Sequence, residues 1–156
     1  MAKQINDLKS MADSLRIRAI VLLDKGELAL ATDHYQQSLA LNREIDDQQG
    51  IADNLLGLGG VTFFQGNYPV ARDYFQQSLV INRKMGSLKG IANNLGNLGV
   101  VAENLRDFTA AQSYIEQSLA IFRSIGNRQH VASGLGNLGV GAYKQGDFAT
   151  ASDYYH

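Results

Sequence analysis

The chain has 156 residues, 45% apolar and 19% charged, which is the composition of a globular domain and excludes a disordered one. Fifteen acidic residues against 14 basic ones give a net charge of -1, with the basic residues scattered singly, so no electrostatic footprint for nucleic acid or an anionic membrane exists. Cysteine is absent, which excludes disulfides, cysteine zinc sites and thiol catalysis, and the single proline suits a nearly all-helical chain with short connections.

Taken from the N-terminus, residues 1–10 are polar and lack the apolar core of a secretion signal. The longest apolar runs, such as Ala19-Ile20-Val21-Leu22-Leu23, are too short for a membrane span, so no membrane partner is expected, and the absence of cysteine fits a reducing compartment, with the cytoplasm as the default expectation. Set against itself at an offset of forty residues, the chain shows a repeat. The segments starting at Gly26 and Gly66 are identical at more than a third of their positions, a third copy starts at Arg106, and a fourth begins at Gly146. The boundaries read as a tail of a preceding repeat or leader over 1–10, then repeats over 11–49, 50–89, 90–129 and 130–156 in a single array.

Each repeat reads as two helices. In the first, Leu95, Leu98, Val101 and Ala102 recur at the three- and four-residue spacing of a buried helical stripe, and in the second Phe108, Ala111, Ile115, Leu119 and Phe122 do the same. The alternation of two that a strand requires is missing. Gly126 falls where a left-handed C-terminal cap is expected. Between the helices of a repeat lie the turns Gln65-Gly66-Asn67 and Gln145-Gly146-Asp147, glycine supplying the permissive backbone and Asn67 or Asp147 the next cap. At Leu105-Arg106-Asp107 the glycine is missing, so Arg106 is expected to be strained or the turn wider.

The order Leu58-Gly59, Gly66, Tyr68, Ala71, Phe75, Ser78, repeated as Leu98-Gly99, Phe108, Ala111, Ile115, Ser118 and as Leu138-Gly139, Gly146, Phe148, Ala151, Tyr155, resembles the tetratricopeptide repeat. The forty-residue period is similar to the variant in kinesin light chains, spindle-orientation adaptors and bacterial repeat proteins. The resemblance covers nearly the whole chain and implies an all-α fold, a right-handed solenoid of stacked antiparallel helix pairs. At the start Arg18 and Ala19 replace Leu-Gly, which predicts either a modified capping helix or a shifted register through Ile17 and Ile20. The chain stops at Tyr154-Tyr155-His156, partway through a second helix, and reads as a window from a longer array or an engineered fragment.

No catalytic constellation, metal motif or cofactor site is expected, and the chain does not read as an enzyme. His34, His130 and His156 occupy different repeat positions, so stacking does not gather them. Asp33, Asp73, Asp147 and Asp153 read as surface or capping residues, and Gly96, Gly99, Gly136 and Gly139 as close helix packing inside helices rather than a phosphate cradle. Binding is the better expectation. The first helices line the concave surface of such a stack, which in one repeat offers Asp53, Leu56, Gly60, Phe63 and Phe64. The next offers Asn93, Gly96, Asn97, Val100, Glu103 and Asn104, and the last Ser133, Gly136, Asn137, Val140, Tyr143 and Lys144. Asn97 and Asn137 share one repeat position, where the resemblance implies a clamp on a ligand backbone; a carboxamide both donates and accepts. The alternative is that these asparagines bridge repeats or are merely solvated. Arg16 and Lys144 are the groove's most evident cations, too few for a carboxylate clamp, and its aromatic and valine content favours an apolar or mixed peptide. Gln-Ser-Leu at Gln37, Gln77 and Gln117, followed by Arg43, Arg83 and Arg123, reads as serine allowing close approach with arginine stems covering apolar surface; the other reading is a convex ladder for acidic partners.

The expected function is a protein-interaction scaffold taking a peptide or helical segment. The alternatives are a sensor or autoinhibitory arm of a larger signalling protein, and a self-assembling structural module associating weakly through exposed repeat ends.

Overall fold

Helices form where the four-residue stripes run and stop where a residue takes left-handed backbone. In the computed structural model, which describes residues 1–155 without the side chains of Tyr143, Phe148 and Tyr155, the elements are α1 (Ala2–Asp24), α2 (Leu28–Glu44), α3 (Gln48–Phe64), α4 (Tyr68–Met85), α5 (Leu88–Asn104), α6 (Phe108–Ser124), α7 (Arg128–Lys144) and α8 (Phe148–Tyr155). No strand occurs among the described residues. After α3 the amide of Gly66 donates to the Phe63 carbonyl at 2.9 Å and that of Asn67 to the Thr62 carbonyl at 2.9 Å, closing the helix through a glycine at φ 78°. The same slot after α5 holds Arg106 at φ 64°, with matching bonds from Arg106 to Glu103 at 3.0 Å and from Asp107 to Ala102 at 2.9 Å. The expected strain is therefore present, and the turn is not widened. Asp46 is also left-handed, at φ 54°.

The capping residues are in place. Asp47 accepts from the Gly50 amide at 3.2 Å, Asn67 from Val70 at 3.4 Å, Ser87 from Gly90 at 3.3 Å, Asp107 from Ala110 at 3.0 Å and Asp147 from Thr150 at 3.1 Å. Each satisfies one amide that the first helical turn leaves without a partner.

The chain divides into two compact units, 1–82 and 83–156, the division falling within α4. In the first, α1, α2 and α3 pack on one another around Ala19, Ala31, Tyr35, Leu39, Leu55, Leu58 and Val61. In the second, α5 packs on α6, α6 on α7, and α7 on α8, with Ile115, Leu119 and Leu138 buried together against Val131, Leu135 and Tyr154. Full burial of one such leucine stabilises by about 1.5–3 kcal/mol, so a repeat rests on a few side chains.

The register of the first three helix pairs is pinned by a hydroxyl. Ser38 donates to the carbonyl of Ala12 at 2.7 Å, Ser78 to Ala52 at 2.9 Å and Ser118 to Ala92 at 2.7 Å, joining the second helix of each pair to the backbone of the first. Asn54 extends the first of these bonds by donating to Ser38 at 2.9 Å, so α3, α2 and α1 are linked through buried polar groups. The serines thus do more than permit close approach. The start of the chain keeps the common register: Ala12 and Ala19 are buried like Ala52 and Ala92, while Ile17 and Ile20 are 56% and 40% exposed. The shift through Ile17 and Ile20 does not occur, because the small side chain of Ala19 fits the slot that Gly59 fills in α3.

Candidate functional site

In the first unit, α3 carries four of the residues singled out by the sequence. Asp53, Leu56 and Phe63 are half-buried, and Phe64 is 67% exposed. Phe63 lies with its ring centroid 5.8 Å from Phe64 and 5.4 Å from Tyr68, so the end of α3 is an aromatic cluster with one ring in solvent. Asp53 accepts from Gln49 at 2.8 Å. Gly57, at the position that Asn97 and Asn137 hold elsewhere, is filled by its neighbour: a Cβ there would lie 2.3 Å from the ring of Tyr35.

In the second unit, α5 and α7 pack side by side. Asn93, Asn97 and Val100 are half-buried on α5 and Asn104 is exposed; on α7, Asn137 is half-buried, and Val140 and Lys144 are exposed. The side chain of Tyr143 lies outside the described residues. The asparagines divide by what they bond. Asn104 donates to the Val100 carbonyl at 2.8 Å and Asn94 to the Gly90 carbonyl at 2.9 Å. Asn97 and Asn137 make no hydrogen bond to another group among the described residues, so each half-buried carboxamide has a donor and an acceptor uncommitted. Glu103 meets Lys144 across the helices at 3.7 Å, and Arg16 pairs with Asp13 at 3.6 Å.

The remaining sequence candidates find structural roles. His34 bonds the Leu30 carbonyl one turn back at 2.9 Å. His130 stacks on Phe122 with centroids 4.4 Å apart and contacts Asn127 at 2.9 Å. In the first unit, Asn42 and Gly50 hold the corresponding positions, and a Cβ on Gly50 would sit 2.5 Å from the Asn42 side chain. Large-on-large at one junction thus replaces medium-on-nothing at the other. His156 lies outside the described residues. Gly99 is required by packing, since a Cβ would lie 2.5 Å from Ile115, whereas Gly136 has nothing within 4 Å and close packing does not account for it. Arg43, Arg83 and Arg123 are exposed, and none has an ion-pair partner among the described residues. No group of three metal-ligating side chains occurs among the described residues, and no described helix is long and apolar enough to cross a membrane.

The tetratricopeptide repeat family model matches residues 10–84 and 90–155. No curated protein matches the chain in sequence. Among solved structures, BtubC (BKLC) from P. vanneervenii is similar at 22% identity and a TM-score of 0.82, over 94% of this chain and 60% of that one. A Rap protein complexed with Competence and Sporulation Factor is similar at 17% identity and a TM-score of 0.83, over 99% of this chain and 45% of its own. The TPR domain of Arabidopsis FLU is similar at 21% identity and a TM-score of 0.71, over 75% of this chain and 98% of that domain. These likenesses show a fold of stacked helix pairs. The chain spans less than two thirds of the length of the first two.

Proposed function

Because the chain belongs to the tetratricopeptide repeat family, we propose that it is a protein-interaction scaffold whose first helices take an extended or helical segment of a partner. The observation that carries this reading is the pair Asn97 and Asn137, at one repeat position on adjacent helices, half-buried and with their carboxamides uncommitted. An extended peptide offers both amides and carbonyls, and a row of carboxamides pairs with either without imposing a charge. The valines and aromatic rings around them favour an apolar or mixed segment, and the similar Rap protein, complexed with Competence and Sporulation Factor, supports a binding role. The repeats are delimited as 11–49, 50–89, 90–129 and 130–156, and the reading assigns no reaction, cofactor, nucleic acid or membrane and a cytoplasmic setting. Exposed Ile17 and Ile20 favour a weak self-association beside it.

The test is a peptide selected from a displayed library on the intact chain, its affinity measured by calorimetry. Asn97→Ala with Asn137→Ala is expected to weaken it about tenfold or more, two lost hydrogen bonds of about 1 kcal/mol each, while the helical circular dichroism signal stays unchanged. Unchanged affinity would remove these asparagines from the binding surface. A second reading, the sensor arm of a larger signalling protein, is supported by the likeness to the Rap protein. A partner segment encoded in the same polypeptide would decide for it.

A further inference from the structure

The repeat register exposes one substitution that the binding face does not explain. Val61 and Val101 are sealed in the core, 0% and 1% exposed, and the position forty residues on is Gly141. Where a valine would stand, a cavity of about 80 Å³ opens, bounded by α6, α7 and α8 and the end of α5. Its lining combines apolar Ile115, Leu138 and Ala142 with polar Glu103, Gln145 and Asp147. Glu103 holds the slot of Phe63, yet it is a carboxylate with its side chain only 8% exposed. Gly141 is what admits it, since a Cβ there would come within 2.8 Å of Glu103 Oε1.

The electrostatics of this cavity are unbalanced. A buried carboxylate needs a close counter-ion and hydrogen bonds. Glu103 has Lys144 at 3.7 Å, well beyond the ~2.7–2.9 Å of a charge-assisted hydrogen bond, and that lysine is 49% exposed. Asp147 adds a second carboxylate, held below its usual range by hydrogen bonds from the Thr150 side chain and amide, and among the described residues no cation lines the cavity. Room for several waters, lined by both apolar side chains and carboxylates, suits an unbranched methylene stem ending in a positive charge.

We propose that this cavity receives the side chain of a lysine or arginine from a bound polypeptide segment. The proposal rests on the interaction-scaffold reading and adds to it a basic anchor residue in the partner, placed by Gly141 and recognised by Glu103 and Asp147.

The probe is the peptide acetyl-Ala-Lys-Ala-amide, compared with its norleucine counterpart, titrated into the isotope-labelled intact chain and read from backbone amide shifts. The lysine peptide is expected to shift the Gly141 and Ala142 amides along a saturating curve, and the norleucine peptide to leave them in place. Glu103→Gln is expected to weaken the lysine peptide at least about tenfold, the scale of one hydrogen bond to a charged group. Gly141→Val, which restores the residue of the other repeats, is expected to abolish binding with the rest of the spectrum retained. If Gly141→Val does not fold, Glu103→Gln alone decides. Equal shifts from both peptides, no shift from either, or lysine binding that survives Glu103→Gln would overturn the proposal. Because these peptides report on the cavity alone, the outcome is separable from that of the Asn97 and Asn137 variants, which report on the face.

Discussion

Replacing Arg106 by glycine should make the protein more stable. Arg106 holds φ 64° in a slot where Gly26, Gly66 and Gly146 sit at 77°, 78° and 79°, and its turn makes the same two backbone bonds as the turn at Gly66. The side chain is exposed and forms no ion pair among the described residues, so truncating it removes no packing. Left-handed backbone costs a residue with a Cβ about 1–2 kcal/mol, which glycine would not incur. Glycine loses about 0.5–1 kcal/mol more chain entropy on folding, which offsets part of the gain. The net expectation is about 0.5–1 kcal/mol, or a rise in melting temperature of about 1–4 °C for a chain of this size. Urea unfolding followed by circular dichroism at 222 nm, a standard helical wavelength, should show a higher midpoint with an unchanged slope. Gly66→Ala is the mirror control and should lower the midpoint. A lower or unchanged midpoint for Arg106→Gly, with Gly66→Ala behaving as stated, would show that Arg106 is not strained.

Two further outcomes follow from the core and the caps. Leu98→Ala should cost about 2–5 kcal/mol, because Leu98 is only 1% exposed, and Asn97→Ala far less; denaturant melts giving the reverse order would refute the assignment of packed and open faces. For Asp47, burial is the largest single influence and pulls its pKa upward, but the bonds from Gly50 and Lys9 together outweigh it and hold the carboxyl below its ordinary 3.8. A carboxyl lowered in the folded state contributes stability in full above its unfolded value and loses it as pH falls through the folded value. The advantage of the wild-type chain over Asp47→Asn should therefore shrink between about pH 5 and pH 3, and an advantage that grew on acidification would sink the argument.

The features legible in the sequence are those set by neighbours along the chain. Caps such as Asn67, Asp107 and Asp147 act over three residues, and the strain at Arg106 is read from a glycine missing at a fixed offset. The left-handed Asp46 carries the same signal, since Gly86 and Gly126 stand forty and eighty residues on. What depends on the distance between helices was not legible. The serines look merely small until Ser38 is seen to reach a carbonyl 26 residues away, and Asn94 and Asn97 are one residue type with opposite fates. The cavity at Gly141 follows from a broken valine column that composition does not reveal, and it becomes a feature only when Glu103 turns into the gap.

The hydroxyl bond from α2, α4 and α6 to the helix before each ends on a main-chain oxygen, not on a side chain. A carbonyl has two lone pairs, so it can hold the helix together and accept the serine at once. Alignment of the two helices is thereby independent of which residues decorate the first. Evolution can rewrite the outward positions of a first helix freely, as from Asp53 to Asn93 to Ser133, without the pair slipping. Recognition can diverge from one copy to the next while the scaffold beneath stays the same.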